Sequence, residues 1–148
     1  MISVSVIVNL LRLKNIKKEK NMLYTVESKN DLNRVKEEME VKAKELGFGI
    51  LKEYSFKKML NEKGFPIEKD ITVFELCNPS AAQKALTLHP ELSVYLPCRI
   101  SLYEKDGKTV LSTIALEDML GSFDLESSFK KELSTIFDKL KKLITNCE

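Results

Sequence analysis

Two cysteines stand where chemistry is easiest to argue in this chain: Cys77 in Cys77-Asn78-Pro79 and Cys98 in Leu96-Pro97-Cys98-Arg99. Two thiols that meet in space can be oxidised and reduced reversibly, because a thiolate attacks a partner sulfur. Arg99, next to Cys98, can lower a thiolate pKa or hold an anion. Asn78 and Pro79 mark a helix start, where free amides can face an anion. Tyr103 can touch a ligand or donate a proton. Each role has a plainer competitor. Buried cysteine is a common small hydrophobe. Arg99 suits a strand residue paired with a carboxylate, Asn-Pro suits a cap, and Tyr103 suits a cross-strand or interface aromatic. For all five residues the plainer reading leads, and for the cysteines a ligand-pocket wall is a third choice.

Alternation complicates the thiol pair. Phe74 and Leu76 read as core-facing, which turns Cys77 to the other face. Cys98 runs with Ile100 and Leu102, also core-facing, so strict alternation separates the sulfurs unless Pro97 marks a bulge.

Other chemistry is poorly supplied. The chain has 148 residues, a single histidine, His89, and no tryptophan. His89 follows a helix end and shows no partner, so it reads as a surface or cap residue. Glu75 interrupts an apolar strand, and Glu104 can face Arg99 or Lys108 across a sheet, but neither spacing makes a carboxylate dyad. There is no Gly-rich phosphate loop, HExxH or GxSxG. The three cysteines, Cys77, Cys98 and Cys147, are odd in number and form no CxxC, which argues for a reducing, cytoplasmic setting without disulfides or structural zinc. No metal and no cofactor are expected, and no reaction is assigned.

The charge is near balance but unevenly placed. Residues 1–22 hold Arg12, Lys14, Lys17, Lys18 and Lys20 against Glu19 alone, a net of +4, so residues 23–148 carry −2 of the total +2. A body with that sign is a poor match for nucleic acid, whose phosphates demand a basic surface. The apolar run Ile2–Leu11 is too short to span a bilayer, which takes about 20 residues, and its charges follow rather than precede it, unlike a secretory signal. Three readings of residues 1–22 stay open: a start-site artefact, with natural translation from Met22; a mobile or loosely docked N-terminal arm; and, a distant third because the apolar residues do not recur at helical spacing, a membrane-surface anchor. Residues 23–148 read as one domain.

The elements that must position these residues follow from periodicity. Leu23–Ser28 is rich in β-formers. Leu32, Val35, Met39, Ala43 and Leu46 recur at helical spacing, with polar cap residues before them and Gly47 as the stop. Phe48–Phe56 alternates as a second strand, with Phe48, Ile50, Lys52, Tyr54 and Phe56 on one side. A short helix over 57–63 closes at Gly64. Ile71–Cys77 is a third strand, and a helix from Asn78-Pro79 ends at His89-Pro90. Cys98–Glu104 and Thr109–Ala115 are strands joined by an Asp106-Gly107 turn. A helical turn over 116–121 precedes a final helix, with Asp124 as cap, a stripe from Phe129 to Ile144, and Lys139, Lys141 and Lys142 suiting its dipole. The expected class is α+β: strand, helix, four strands, helix, with short inserted helices. Two long helices cover one face of an antiparallel sheet. Val73, Tyr103 and Val110 or Leu111 leave apolar character on the other face, which predicts a homodimer.

The run Val73-Phe74-Glu75-Leu76-Cys77-Asn78-Pro79, then Ala81-Ala82-Gln83-Lys84-Ala85-Leu86, then Leu96-Pro97-Cys98-Arg99-Ile100-Ser101-Leu102-Tyr103-Glu104 before Asp106-Gly107, resembles the family of domain of unknown function 302. The Gly47-Phe48 step also fits, and the resemblance spans about residues 23–145. It implies a fold similar to one half of the saddle of the TATA-binding protein, and dimers. It implies no established reaction. Expected partners are a second copy and a small molecule or protein, with no nucleic acid and no membrane. The chain reads as a binding or interaction module, or else as a thiol redox or sulfur-handling protein using Cys77 and Cys98.

Overall fold

The computed structural model describes residues 22–115, 120–121 and 123–148. The expectations for residues 1–21, and for most of the turn over 116–121, lie outside the described residues. The elements run β1 (Leu23–Ser28), α1 (Leu32–Glu45), β2 (Gly49–Ser55), α2 (Phe56–Glu62), β3 (Ile71–Cys77), α3 (Pro79–Leu88), a 3-10 segment (Pro90–Tyr95), β4 (Cys98–Lys105), β5 (Lys108–Ile114) and α4 (Ser127–Asn146). The five strands form one antiparallel sheet in the order β1-β5-β4-β3-β2. The architecture is α+β, a meander of β2 to β5 with β1 added at the β5 edge.

Local chemistry sets the boundaries. Asp31 Oδ1 accepts a hydrogen bond from the Arg34 amide at 2.9 Å, which satisfies one orphan donor at the start of α1. Gly47 follows the other end of α1 with φ +85°, a conformation a side chain makes costly. Asp106 and Gly107 take φ of 52° and 76°, as a two-residue hairpin turn whose twist matches the strands requires.

Two details of α4 depart from expectation. Glu126, not Asp124, occupies the cap position, and it makes no side-chain cap bond. The helix continues to Asn146, so Lys139, Lys141 and Lys142 precede a last turn that holds no basic residue. In β2 the register shifts between Ile50 and Lys52. Ile50 therefore stays opposite Leu76 on the helix side, while Lys52 and Tyr54 stand opposite Glu75 and Val73 on the other face. Unbroken alternation predicts all three on one side; the bulge at Leu51 separates them.

The main core lies between the sheet and the pair α1 and α4. Met39 and Ala43 from α1 and Leu143 and Ile144 from α4 are fully enclosed, as are Leu76, Ile100, Leu102 and Leu111 from the sheet. Each large apolar side chain buried this way stabilises the fold by roughly 1.5–3 kcal/mol. A smaller cluster of Ala85, Leu92, Leu125 and Phe129 joins α3 and the 3-10 segment to the start of α4.

Among the described residues no long helix covers the opposite face of the sheet. Tyr54 pairs with Val73, Arg99 with Glu75, and Tyr103 with Val110 across it. Leu111 instead faces Leu102 in the core, so of the two candidates Val110 is the one on this face. Glu104 stands opposite Thr109, and Lys108 reaches Glu27 at 3.2 Å rather than Glu104.

Candidate functional site

A cavity of ≈ 70 Å³ opens where the two hydrophobic clusters meet. Phe48, Leu76, Phe137 and Leu140 line it from the main core, and Leu92 and Tyr95 line it from the smaller cluster. It exists because α3 presents small side chains at the seam: Ala81, Ala82 and Ala85 all border it. Protein interiors are packed as densely as organic crystals, so such a gap marks a place where larger side chains are missing. Lys84 on α3 spans to Glu132 on α4, Nζ to Oε1 2.6 Å, beside this seam.

Cys77, Asn78 and Cys98 all line the cavity. The structure thus brings three of the five expected site residues to one cavity. Pro97 introduces no bulge, since β3 and β4 pair without a shift from Ile71–Tyr103 to Leu76–Cys98. Cys77 keeps its place in the sheet as the last residue of β3, opposite Gly49 of β2, and β3 alternates between buried and half-buried positions through to it. The two cysteines share the cavity because both stand at the same end of the sheet, where it opens.

Burial pushes the Cys98 thiol up to about 11, and the neighbouring Cys77 adds to the effect. Taking a thiolate out of water costs more than the surrounding dipoles return, so Cys98 keeps its proton at neutral pH. Arg99 is not among the groups that move this pKa. Arg99 stands opposite Glu75 on the open face and lines a groove there with Tyr54, Val73 and Tyr103. It also borders a second cleft of ≈ 120 Å³ with Pro97, Cys98 and Thr113. Tyr103 is remote from the thiols, with Lys69 Nζ 5.1 Å from its ring centre.

Asn78 does what the cap reading requires. Its Oδ1 accepts from the Ala81 amide at 3.1 Å and from Ser80 Oγ at 3.2 Å, and Pro79 fills the first helical position. The cap fixes which amide atom is which, and among the described residues Nδ2 has no acceptor. His89 does have partners: Nδ1 lies 3.3 Å from Glu91, and its ring centre is 5.2 Å from that of Phe129. Cys147 is buried in the main core, which raises its pKa. Among the described residues no group of three or more His, Cys, Asp or Glu is placed to hold a metal ion.

The cavity walls on α3 were not singled out from the sequence. The signal was present in the spacing of Ala81, Ala82 and Ala85, small residues on one helix face, but alanine is also an ordinary helix former.

Comparison with known proteins gives a consistent family. A family model described as "Domain of unknown function DUF302" matches residues 24–147. The chain is similar to the crystal structure of an uncharacterized conserved DUF302 protein from Bacillus stearothermophilus, with a TM-score of 0.78 and 26% identity over 86% of this chain and 98% of that one. No curated protein matches.

Proposed function

The chain belongs to the family described as domain of unknown function DUF302, and from that premise we propose that it acts as a homodimeric binding module that holds a small molecule in the cavity between α3, α4 and the sheet. The observation that carries this reading is the cavity itself: an apolar space built from both distinctive sequence segments, at a seam that larger side chains would close. Ligand sites are generally such concave, mostly apolar spaces with few polar groups. The open face of the sheet supports the homodimer. Tyr54, Val73 and Tyr103 line its groove, and Leu23 and Ile114 at its rim are 52% and 43% exposed. The three free cysteines favour a reducing, cytoplasmic site of action. Among the described residues no helix is long and apolar enough to cross a membrane.

The test is a thermal-shift screen over a broad metabolite panel on the full chain and on Ala82→Phe, which fills the cavity. A shift for the native chain that the variant loses is the expected result. No shift across the panel overturns the binding reading.

One observation favours a second reading. Cys77 and Cys98 line the same cavity, and Cys77 is close enough to add to the rise in the Cys98 pKa, as in a thiol pair used for redox or sulfur handling. The raised Cys98 pKa weighs against it, because the attacking species is the thiolate. Unchanged stability and unchanged titration of the remaining thiol in both Cys77→Ser and Cys98→Ser dispose of it.

A further inference from the structure

Building on the cavity reading above, we propose the chemical class of its ligand: an uncharged, largely apolar molecule carrying one hydrogen-bond acceptor, which the free amide N–H of Asn78 orients. Three observations lead there. Among the described residues no Lys, Arg, Asp, Glu or His borders the cavity, so a charged guest would shed its hydration and gain no counter-ion from them. The thiol of Cys98 is held neutral and offers no charge of its own. Among the described residues the polar side chains in the wall, thiols aside, are Asn78 and Tyr95.

Asn78 is the better placed of these two to select a ligand. Its oxygen is committed to the α3 cap, so its conformation is fixed before any ligand arrives. Its nitrogen is held near the chain turn after α1, 3.2 Å from where a Cβ on Gly47 would lie, and it has no acceptor among the described residues. A donor fixed in this way by another bond discriminates well, since little ordering is left for the ligand to bring about. Tyr95 is held instead by its ring, edge-on to Phe123 at 5.5 Å. The space of ≈ 70 Å³ is partly open to solvent and suits a short chain that fills it and reaches its mouth.

Four isosteric or near-isosteric probes test the class: 3-pentanone, diethyl sulfide, diethylammonium and butanoate. Each is titrated into the full chain while the amide signals of Ala81, Ala82, Leu92 and Tyr95 are followed by NMR. The ketone is expected to move these signals, and the two ions to bind about tenfold more weakly or not at all. Asn78→Ser keeps a capping oxygen and removes the donor, so it is expected to reduce the ketone-to-sulfide affinity ratio about fivefold. Asn78→Asp, also a good cap, should do the same, and Tyr95→Phe should leave the ratio unchanged.

An ion that binds the cavity as well as the ketone overturns the ligand class while leaving the cavity reading intact. A ratio unmoved by Asn78→Ser, or moved by Tyr95→Phe instead, overturns the role of Asn78. Failure of all four probes, or shifts that persist in Ala82→Phe, overturns the cavity reading itself and this inference with it.

Discussion

Cys98 shows how one burial decides between two chemistries. An ordinary thiol of pKa 9.0 is raised to about 11, chiefly by burial, so at pH 8 its thiolate fraction falls about a hundredfold. Iodoacetamide at pH 8 should therefore label Cys98 about a hundredfold more slowly than a free thiol, as read by mass spectrometry of the modified peptide. The same shift has a stability sign. The folded state holds the proton more tightly, so the contribution is fully present below pH 9 and is lost as pH rises towards 11. Cys98→Ala should flatten the decline in chemical-denaturation stability across that window relative to the native chain. Thr72 offers a contrast. It is fully buried on the core side of β3, and its hydroxyl has no hydrogen-bond partner among the described residues. Thr72→Val keeps the shape and removes the orphan group, so the urea midpoint should rise, by about 1 kcal/mol in stability. At this scale the sequence told the cap role of Asn78 correctly, because capping is local. It had no means of finding the cavity that Cys77 and Cys98 share, because that space depends on how α3 and α4 pack over the end of the sheet.

The elements were more legible than their ends. β1 and β3 carry the limits read from the sequence, since β-branched and aromatic runs bounded by polar residues leave little choice. The bulge at Leu51 escaped, because a two-for-one pairing depends on the neighbouring strand and leaves no mark in the sequence of β2 itself. The start of α4 escaped in the same way, since Asp124 and Glu126 both carry acidic side chains and the sequence has no means of choosing between them. Gly47 is the opposite case: its role was visible and is now quantifiable. At φ +85° any side chain is strained, and a Cβ would lie 3.2 Å from Asn78 Nδ2. Gly47→Ala is expected to cost about 1–2 kcal/mol in urea denaturation. Asn78→Ala is expected to cost about 1 kcal/mol through loss of the α3 cap.

Across the whole molecule, two hydrophobic clusters share α4, which carries Phe129 in one and Phe137 in the other. Their incomplete fusion leaves the cavity, while among the described residues the long helices cover only the other face of the sheet. These two features give separable predictions. Tyr103→Glu places a charge in the middle of the open face and should turn the proposed homodimer into a monomer by sedimentation, while 3-pentanone still shifts the amide of Ala82. A native chain that sediments only as a monomer at micromolar concentration overturns the homodimer. The sheet order has a further consequence, for biosynthesis. Among the described strands the earliest made, Leu23–Ser28, takes its ladder partner from the latest, Lys108–Ile114. A nascent chain arrested before Lys108 therefore carries a ribbon without its native ladder partner. Native pairing of that ribbon must wait until synthesis has passed Ile114, a delay that leaves its edge open to wrong partners.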